Sequence, residues 1–302
     1  MATLSRVALI GFGEVGQTLG ADLLAAGAAV SAFDVLFAKS DSAPALALSR
    51  IAVRPASNVH DAVRDAELVI AAVTAASDLE AAQSVAPHLA RGAFYVDVNS
   101  VSPAMKRACA QSIEAAGGRY VEAAVMTPIA PKRIGSSMLL GGPHAEAFLE
   151  AARPLGFAGI KPFSPIIGQA SATKMCRSVI IKGTEALLTE SMLAARHYGV
   201  EKTVLDSLSD LLPAGDWNKI ARYFISRSLE HGTRRAEEMR ESAKTVAEAG
   251  LEPLMALATA EREDWAAGHK DALKYMDDLG AMLDAIRKDI DTNAAGSSNA
   301  AE

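Results

Sequence analysis

The chain has 302 residues, half of them hydrophobic and only 5% aromatic, with a formal net charge of −6. That length allows two domains of about 100–200 residues each, and the mild acidity argues against a nucleic-acid-binding protein. No apolar run reaches the ~18 residues that cross a bilayer, and two cysteines, Cys109 and Cys176, with no Cys/His cluster argue against a disulfide framework or a metal site.

Val7 to Ile10 is an apolar run, expected as a strand buried on both faces. It begins with no secretory signal ahead of it, so the cytoplasm is the expected location. Gly11, Gly13 and Gly16 follow at the spacing G-x-G-x-x-G, then a helix from Glu14 to Ala26 and a second strand, Val30 to Phe33, ending in Asp34. Strand, glycine turn, helix and strand-end acid form the dinucleotide fingerprint of a Rossmann-type fold. The pyrophosphate is expected on Gly11, Phe12, Gly13, Glu14, Val15 and Gly16, at the positive end of the helix. Asp34 is placed to accept the ribose hydroxyls of NAD and to repel a 2′-phosphate. NADP is the alternative cofactor, with Lys39 as its phosphate partner.

A helix over Ser40–Arg50 and a strand over Ile51–Val53 come next, then a helix capped by Ser57 or Asn58. Further strands are predicted at Leu68–Val73, Phe94–Val98, Arg119–Ala124, Ser137–Gly141 and Gly159–Phe163. Helices are predicted between them at Asp78–Leu89, Pro103–Ala116 and His144–Ala152. This alternation predicts an α/β fold, a doubly wound parallel sheet, over residues 1–166. Val73 and Thr74 end a strand at the ligand-binding edge and join the expected cofactor contacts. Residues 167–291 read as an all-helical domain for substrate and dimer contacts. Its helices are Ala170–Tyr198, Lys202–Leu211, Trp217–Glu230, Thr233–Ala249, Pro253–Ala267 and Asp271–Lys288, punctuated by Gly and Pro. The mixed-sign run Arg234–Glu241 reads as a solvated or subunit-facing surface. Residues 292–302 read as a disordered tail.

Two stretches could meet the reactive end of a cofactor. In Asp97–Pro103, residues Asn99, Ser100 and Ser102 are small hydrogen-bonding groups that could hold a carboxylate; Ser102 could equally cap the helix that opens with Pro103. Asn99 also borders the cofactor. In the second stretch, Lys174, Ser178 and Lys182 recur at i, i+4 and i+8 beside Arg177. Either they form an exposed basic stripe, or a partly buried lysine has a lowered pKa, as a base near neutrality requires.

With these residues the chain resembles, in order and over nearly its whole length, the β-hydroxyacid dehydrogenases, a group that includes 3-hydroxyisobutyrate dehydrogenase, tartronate semialdehyde reductase and 6-phosphogluconate dehydrogenase. The fingerprint is Gly11-Phe12-Gly13-Glu14-Val15-Gly16. The family's substrate loop looks like Asp97 to Pro103, with one or more residues inserted. Its D-A-P-V-S-G-G segment looks like Glu122 to Pro128, and its G-x-x-x-x-x-K-x-x-x-N falls on Gly168, Lys174 and Ser178. Met126-Thr127-Pro128 replaces the S-G-G, and Ser178 replaces the asparagine. KMCRSVIIKG around Lys182-Gly183 looks like a divergent branch whose C-terminal domain is defined only as one of unknown function. Ile181 stands where 6-phosphogluconate dehydrogenases carry an acid, which argues against that decarboxylation.

The resemblance implies an NAD-dependent oxidoreductase of small hydroxy acids with Lys174 as general acid/base. The anionic part of the substrate would lie near Asn99, Ser100, Ser102, Thr127 and Ser178. Arg177 and Lys182 would tune Lys174 or bind a second anionic group. Trp217, Asn218 and Lys219 are candidates for the pocket wall, and a homodimer or larger homo-oligomer is expected. The alternatives are an imine or keto reductase using NADPH, a 6-phosphogluconate-like sugar-acid dehydrogenase, and a cofactor-binding protein without turnover.

Overall fold

Alternate residues of the first strand, β1 (Arg6–Ile10), enter different cores: Val7 and Leu9 on one face, Ala8 and Ile10 on the other. Strand β4 (Leu68–Ala71) divides in the same way, with Leu68 and Ile70 opposite Val69 and Ala71. A sheet buried on both faces needs helices on both, and this requirement produces a three-layer α/β unit.

The structure is a computed structural model and describes residues 4–211 and 215–298. After β1 come α1 (Glu14–Ala25), β2 (Ala29–Phe33), α2 (Ala43–Ala47), β3 (Arg54–Pro55) and α3 (Val59–Val63). Beyond β4 lie α4 (Asp78–Val85), β5 (Phe94–Asp97), α5 (Pro103–Ala115), β6 (Arg119–Val125), β7 (Met138–Gly141), α6 (Ala145–Ala152) and β8 (Ile160–Ser164). The helical part comprises α7 (Gln169–Tyr198), α8 (Glu201–Leu211), α9 (Trp217–Glu248), α10 (Leu254–Ala267) and α11 (Leu279–Ser298). None of the described helices is long and apolar enough to cross a membrane.

The strands run in the order β3-β2-β1-β4-β5-β6-β7-β8. The chain therefore reverses its direction of growth between β1 and β4, the switch point at whose carboxyl ends doubly wound sheets bind ligands. The sheet is not wholly parallel, as the alternation suggested. β7 pairs antiparallel with β6 and parallel with β8. The link 126–137 holds only a 3-10 turn, Arg133–Gly135, and lacks the crossover helix that parallel neighbours normally need. Helix α6 supplies such a crossover between β7 and β8.

Local chemistry moves several other boundaries. Helix α2 is one short segment that Ser42 caps and that opens with Pro44 in its first turn. The edge strand lies at Arg54–Pro55 rather than Ile51–Val53. The helices expected on either side of Gly232 are one continuous α9. Gly232 does not end it; a side chain there would overlap the Glu263 carbonyl oxygen, so glycine lets α9 and α10 approach closely. The small residues Ala236, Ala243, Ala256 and Ala260 form a core with Met239 along the same seam. The helix expected over Asp271–Lys288 divides into a 3-10 segment, Lys270–Tyr275, and α11. Helix α11 runs through Ser298, so residues 292–298 continue a helix where a disordered tail was expected; 299–302 lie outside the described residues.

The chain divides into two compact units, Met1–Met175 and Cys176–Glu302. The division falls within α7 rather than at 166/167. The start of α7 is bonded into the sheet unit, because Glu122 of β6 accepts from its first amides.

Candidate active site

The turn from β1 to α1 is built for close backbone approach. Gly11 has φ +93°, and a side chain on it would overlap the Ala72 carbonyl. A side chain on Gly16 would overlap the Gly11 carbonyl, so this glycine lets α1 pack against the turn. Gly13, at the N-cap of α1, faces open space with no atom within 4 Å of where a Cβ would stand. That space over a helix N-terminus fits a pyrophosphate. Asp34 ends β2, accepting from the amides of Phe12 at 2.7 Å and Leu36 at 2.8 Å. Its carboxylate is thereby fixed beside the glycine turn, where it fits the ribose of a dinucleotide.

The other expected cofactor residues divide by burial. The Phe12 side chain is fully buried, edge-on to Phe37, which leaves its backbone for a ligand. Glu14 is exposed and Val15 packs on the core. Val73 and Thr74 follow β4 beyond its carboxyl end; Thr74 Oγ1 lies 3.1 Å from Ser77 Oγ. Lys39 is exposed, beyond the turn that Asp34 caps.

The loop after β5 is held from beneath by buried charge. Asp97 Oδ1 receives Lys106 Nζ at 2.7 Å and the Asn99 amide at 2.9 Å, while Tyr120 Oη donates to Oδ2 at 2.7 Å. Asn99 Nδ2 donates to Asp78 Oδ1 at 2.7 Å. Asp78, Asp97 and Lys106 are all fully buried. Burial, and then the Asp97 charge, push Asp78 up to about 7. Burial alone would lower Lys106, but Asp97 and Asp78 outweigh it and hold the ammonium above its usual range. Cys109 lies beside the two carboxylates, and burial pushes its thiol up. With the Lys106 ammonium against Asp97, the cluster is a charge-matched support for the loop. Sequence reasoning did not single out Asp78, Lys106 or Tyr120. The signal available was a lysine one turn into an otherwise apolar-faced α5.

Above this support, Lys174 Nζ donates to Ser100 Oγ, so two residues singled out from separate stretches meet. Both are half-buried. Ser102 is buried and caps α5 through the Met105 amide at 3.4 Å. Thr127 Oγ1, beyond β6, is buried without a hydrogen-bond partner among the described residues. Such an orphaned hydroxyl fits a ligand contact.

The remaining residues of the basic helix face belong to the second unit. Arg177 is exposed and Ser178 is buried. Lys182 is buried and ion-paired with Glu238, which also accepts from Arg234 at 2.9 Å. Burial lowers the Lys182 pKa in spite of Glu238. Its charge is thus matched inside the helical unit. The mixed-sign run is likewise not a solvated surface throughout. Arg235 and Glu241 are buried, and Arg235 pairs with Glu185 and, at 3.5 Å, with Glu263. Ala236, Met239 and Ala243, at i, i+3 and i+7, were the sequence signal for that buried face. Trp217 is part of the helical core, while Asn218 and Lys219 are exposed.

Comparison with known proteins gives the same division. Residues 6–159 match the NAD binding domain of 6-phosphogluconate dehydrogenase, and residues 195–265 match a domain of unknown function, DUF1932. A conserved hypothetical protein from Sinorhizobium meliloti is 33% identical with a TM-score of 0.76, covering 95% of this chain and 97% of its own. The NAD-dependent L-serine dehydrogenase of Pseudomonas aeruginosa is 26% identical over 71% of this chain and 72% of its own. The 3-hydroxyisobutyrate dehydrogenase of Mycobacterium tuberculosis, solved with L-serine, shares the fold at a TM-score of 0.73 and 18% identity, over 94% of this chain and all of its own. The chain belongs to the β-hydroxyacid dehydrogenase family, as a divergent member whose second domain is of the DUF1932 type.

Proposed function

We propose that the chain oxidises a small hydroxy acid, or reduces its carbonyl form, with NAD as cofactor and Lys174 as general acid/base. The contact between Lys174 and Ser100 at the carboxyl edge of the sheet carries this reading. The glycine turn and Asp34 would hold the dinucleotide, which supplies a hydride acceptor when bound. Lys174 would take the proton of the substrate hydroxyl during oxidation and return it during reduction. Ser100, Asn99 and the orphaned Thr127 hydroxyl would receive the carboxylate. Ser102 is committed to capping α5 and would act through its turn. The names of the Pseudomonas and Mycobacterium relatives support short hydroxy acids such as L-serine and 3-hydroxyisobutyrate as first trials.

Titration of NADH and NADPH by nicotinamide fluorescence tests the cofactor assignment. NADH should bind more tightly to the wild type, and Asp34→Ala should lose that preference. Tighter NADPH binding would overturn it and redirect the screen from hydroxy acids to imines. A homodimer is part of the same proposal. Leu254, Met255 and Leu257 leave an apolar face of α10 exposed, which a second copy would cover. Sedimentation as a 31.5 kDa monomer would contradict it.

A further inference from the structure

Glu122 is a carboxylate in the middle of a hydrophobic sheet. It is fully buried on β6, between Val121 and Ala123. Burying such a group is costly unless its oxygens are bonded. Both are. Oε2 accepts from the Gly168 amide at 2.6 Å, and Oε1 accepts from the Ser171 amide. These amides belong to the opening of α7, whose first N–H groups have no partner inside the helix. An acid on β6 therefore caps, from 46 and 49 residues away, the helix that carries Lys174. The neighbouring strand is shaped to admit it. Gly141 pairs directly with Glu122, and a Cβ on Gly141 would stand 2.5 Å from Oε2.

We propose that Glu122 is a positioning residue for Lys174. By clamping the amides of Gly168 and Ser171 it sets the height and rotation of the first turns of α7, and so places the Lys174 amine against Ser100. Lys174 follows Ser171 by three residues, less than one helical turn. A small rotation at the clamp therefore reaches the amine with little slack. Glutamine at position 122 keeps one acceptor but replaces the other with an NH2 group facing a backbone N–H. The catalytic consequence rests on the reading of Lys174 as the reacting amine; the geometric one does not.

The test uses the full chain with lysine side chains labelled with 13C at Cε, the Lys174 signal being assigned by its loss in Lys174→Arg. Glu122→Gln and Gly141→Ala should each shift the Lys174 signal. With L-serine or 3-hydroxyisobutyrate as the trial substrate, kcat should fall about 10- to 100-fold with KM and NADH affinity little changed. Gly141→Ala guards against a folding failure of Glu122→Gln, since it displaces the carboxylate and retains its charge. An unmoved Lys174 signal in both folded variants would overturn the proposal. If Lys174→Ala retained turnover while Glu122→Gln still moved the signal, only the catalytic reading of Lys174 would fail.

Discussion

Lys174→Ala is expected to lower kcat on a confirmed hydroxy-acid substrate by about 10²- to 10⁴-fold, the usual contribution of a placed general acid/base. The amine is half-buried and bonded to Ser100, at the edge of the sheet where doubly wound folds bind ligands. Alanine removes the proposed proton acceptor and leaves the glycine turn, far along the chain at Gly11–Gly16, untouched. NADH affinity should therefore stay at the wild-type value while turnover collapses. Lys174→Arg should fail almost as badly, because a guanidinium remains protonated at working pH and cannot accept the hydroxyl proton. Wild-type turnover in Lys174→Ala would remove the lysine from the mechanism.

Lys106→Met is expected to destabilise the first unit by about 3–5 kcal/mol, the usual cost of stripping one partner from a buried ion pair. Lys106, Asp97 and Asp78 are all fully buried, and the Asp97 carboxylate would be left beside Asp78 with no counter-charge. Urea unfolding would measure the loss. Asp78→Asn should behave in the opposite way. The folded protein holds a proton on Asp78 up to about pH 7, whereas an unfolded aspartate releases it near 3.8. Between those values the native state binds more protons, so this group's stabilising contribution, complete in acid, is lost as pH rises through 7. Asparagine cannot ionise and still presents an oxygen to Asn99 Nδ2. The variant should therefore gain stability relative to wild type progressively from about pH 4 to pH 7. A constant difference across that range would show that Asp78 does not titrate there.

Features written over a few adjacent residues were legible before any coordinates. The two-face apolar runs of β1 and β4, the glycine turn, the acid ending β2 and the cap-and-proline start of α5 are each determined by local periodicity or local sterics. The switch to an all-helical second half is legible for the same reason. Lys174 stood out through its spacing and through the family resemblance, which also suggested a role for it. The direction of β7 was not legible, because no adjacent residue states whether a link will cross over the sheet. Nor could Gly232 be read correctly, since a glycine that ends a helix and one that admits a neighbouring helix are the same letter. The supports of the site were the least visible. Lys106 on Asp97, and Glu122 on Gly168 and Ser171, join groups from separate elements. Charged residues ordinarily read as solvated, and only burial obliges them to pair. The sequence by itself determined most of the elements, the glycine turn and the candidate lysine, because these follow from short-range pattern. Tertiary structure alone decided which buried charges meet and hold that lysine against Ser100, because pairing depends on desolvation and proximity that arise only once the sheet and helices have packed.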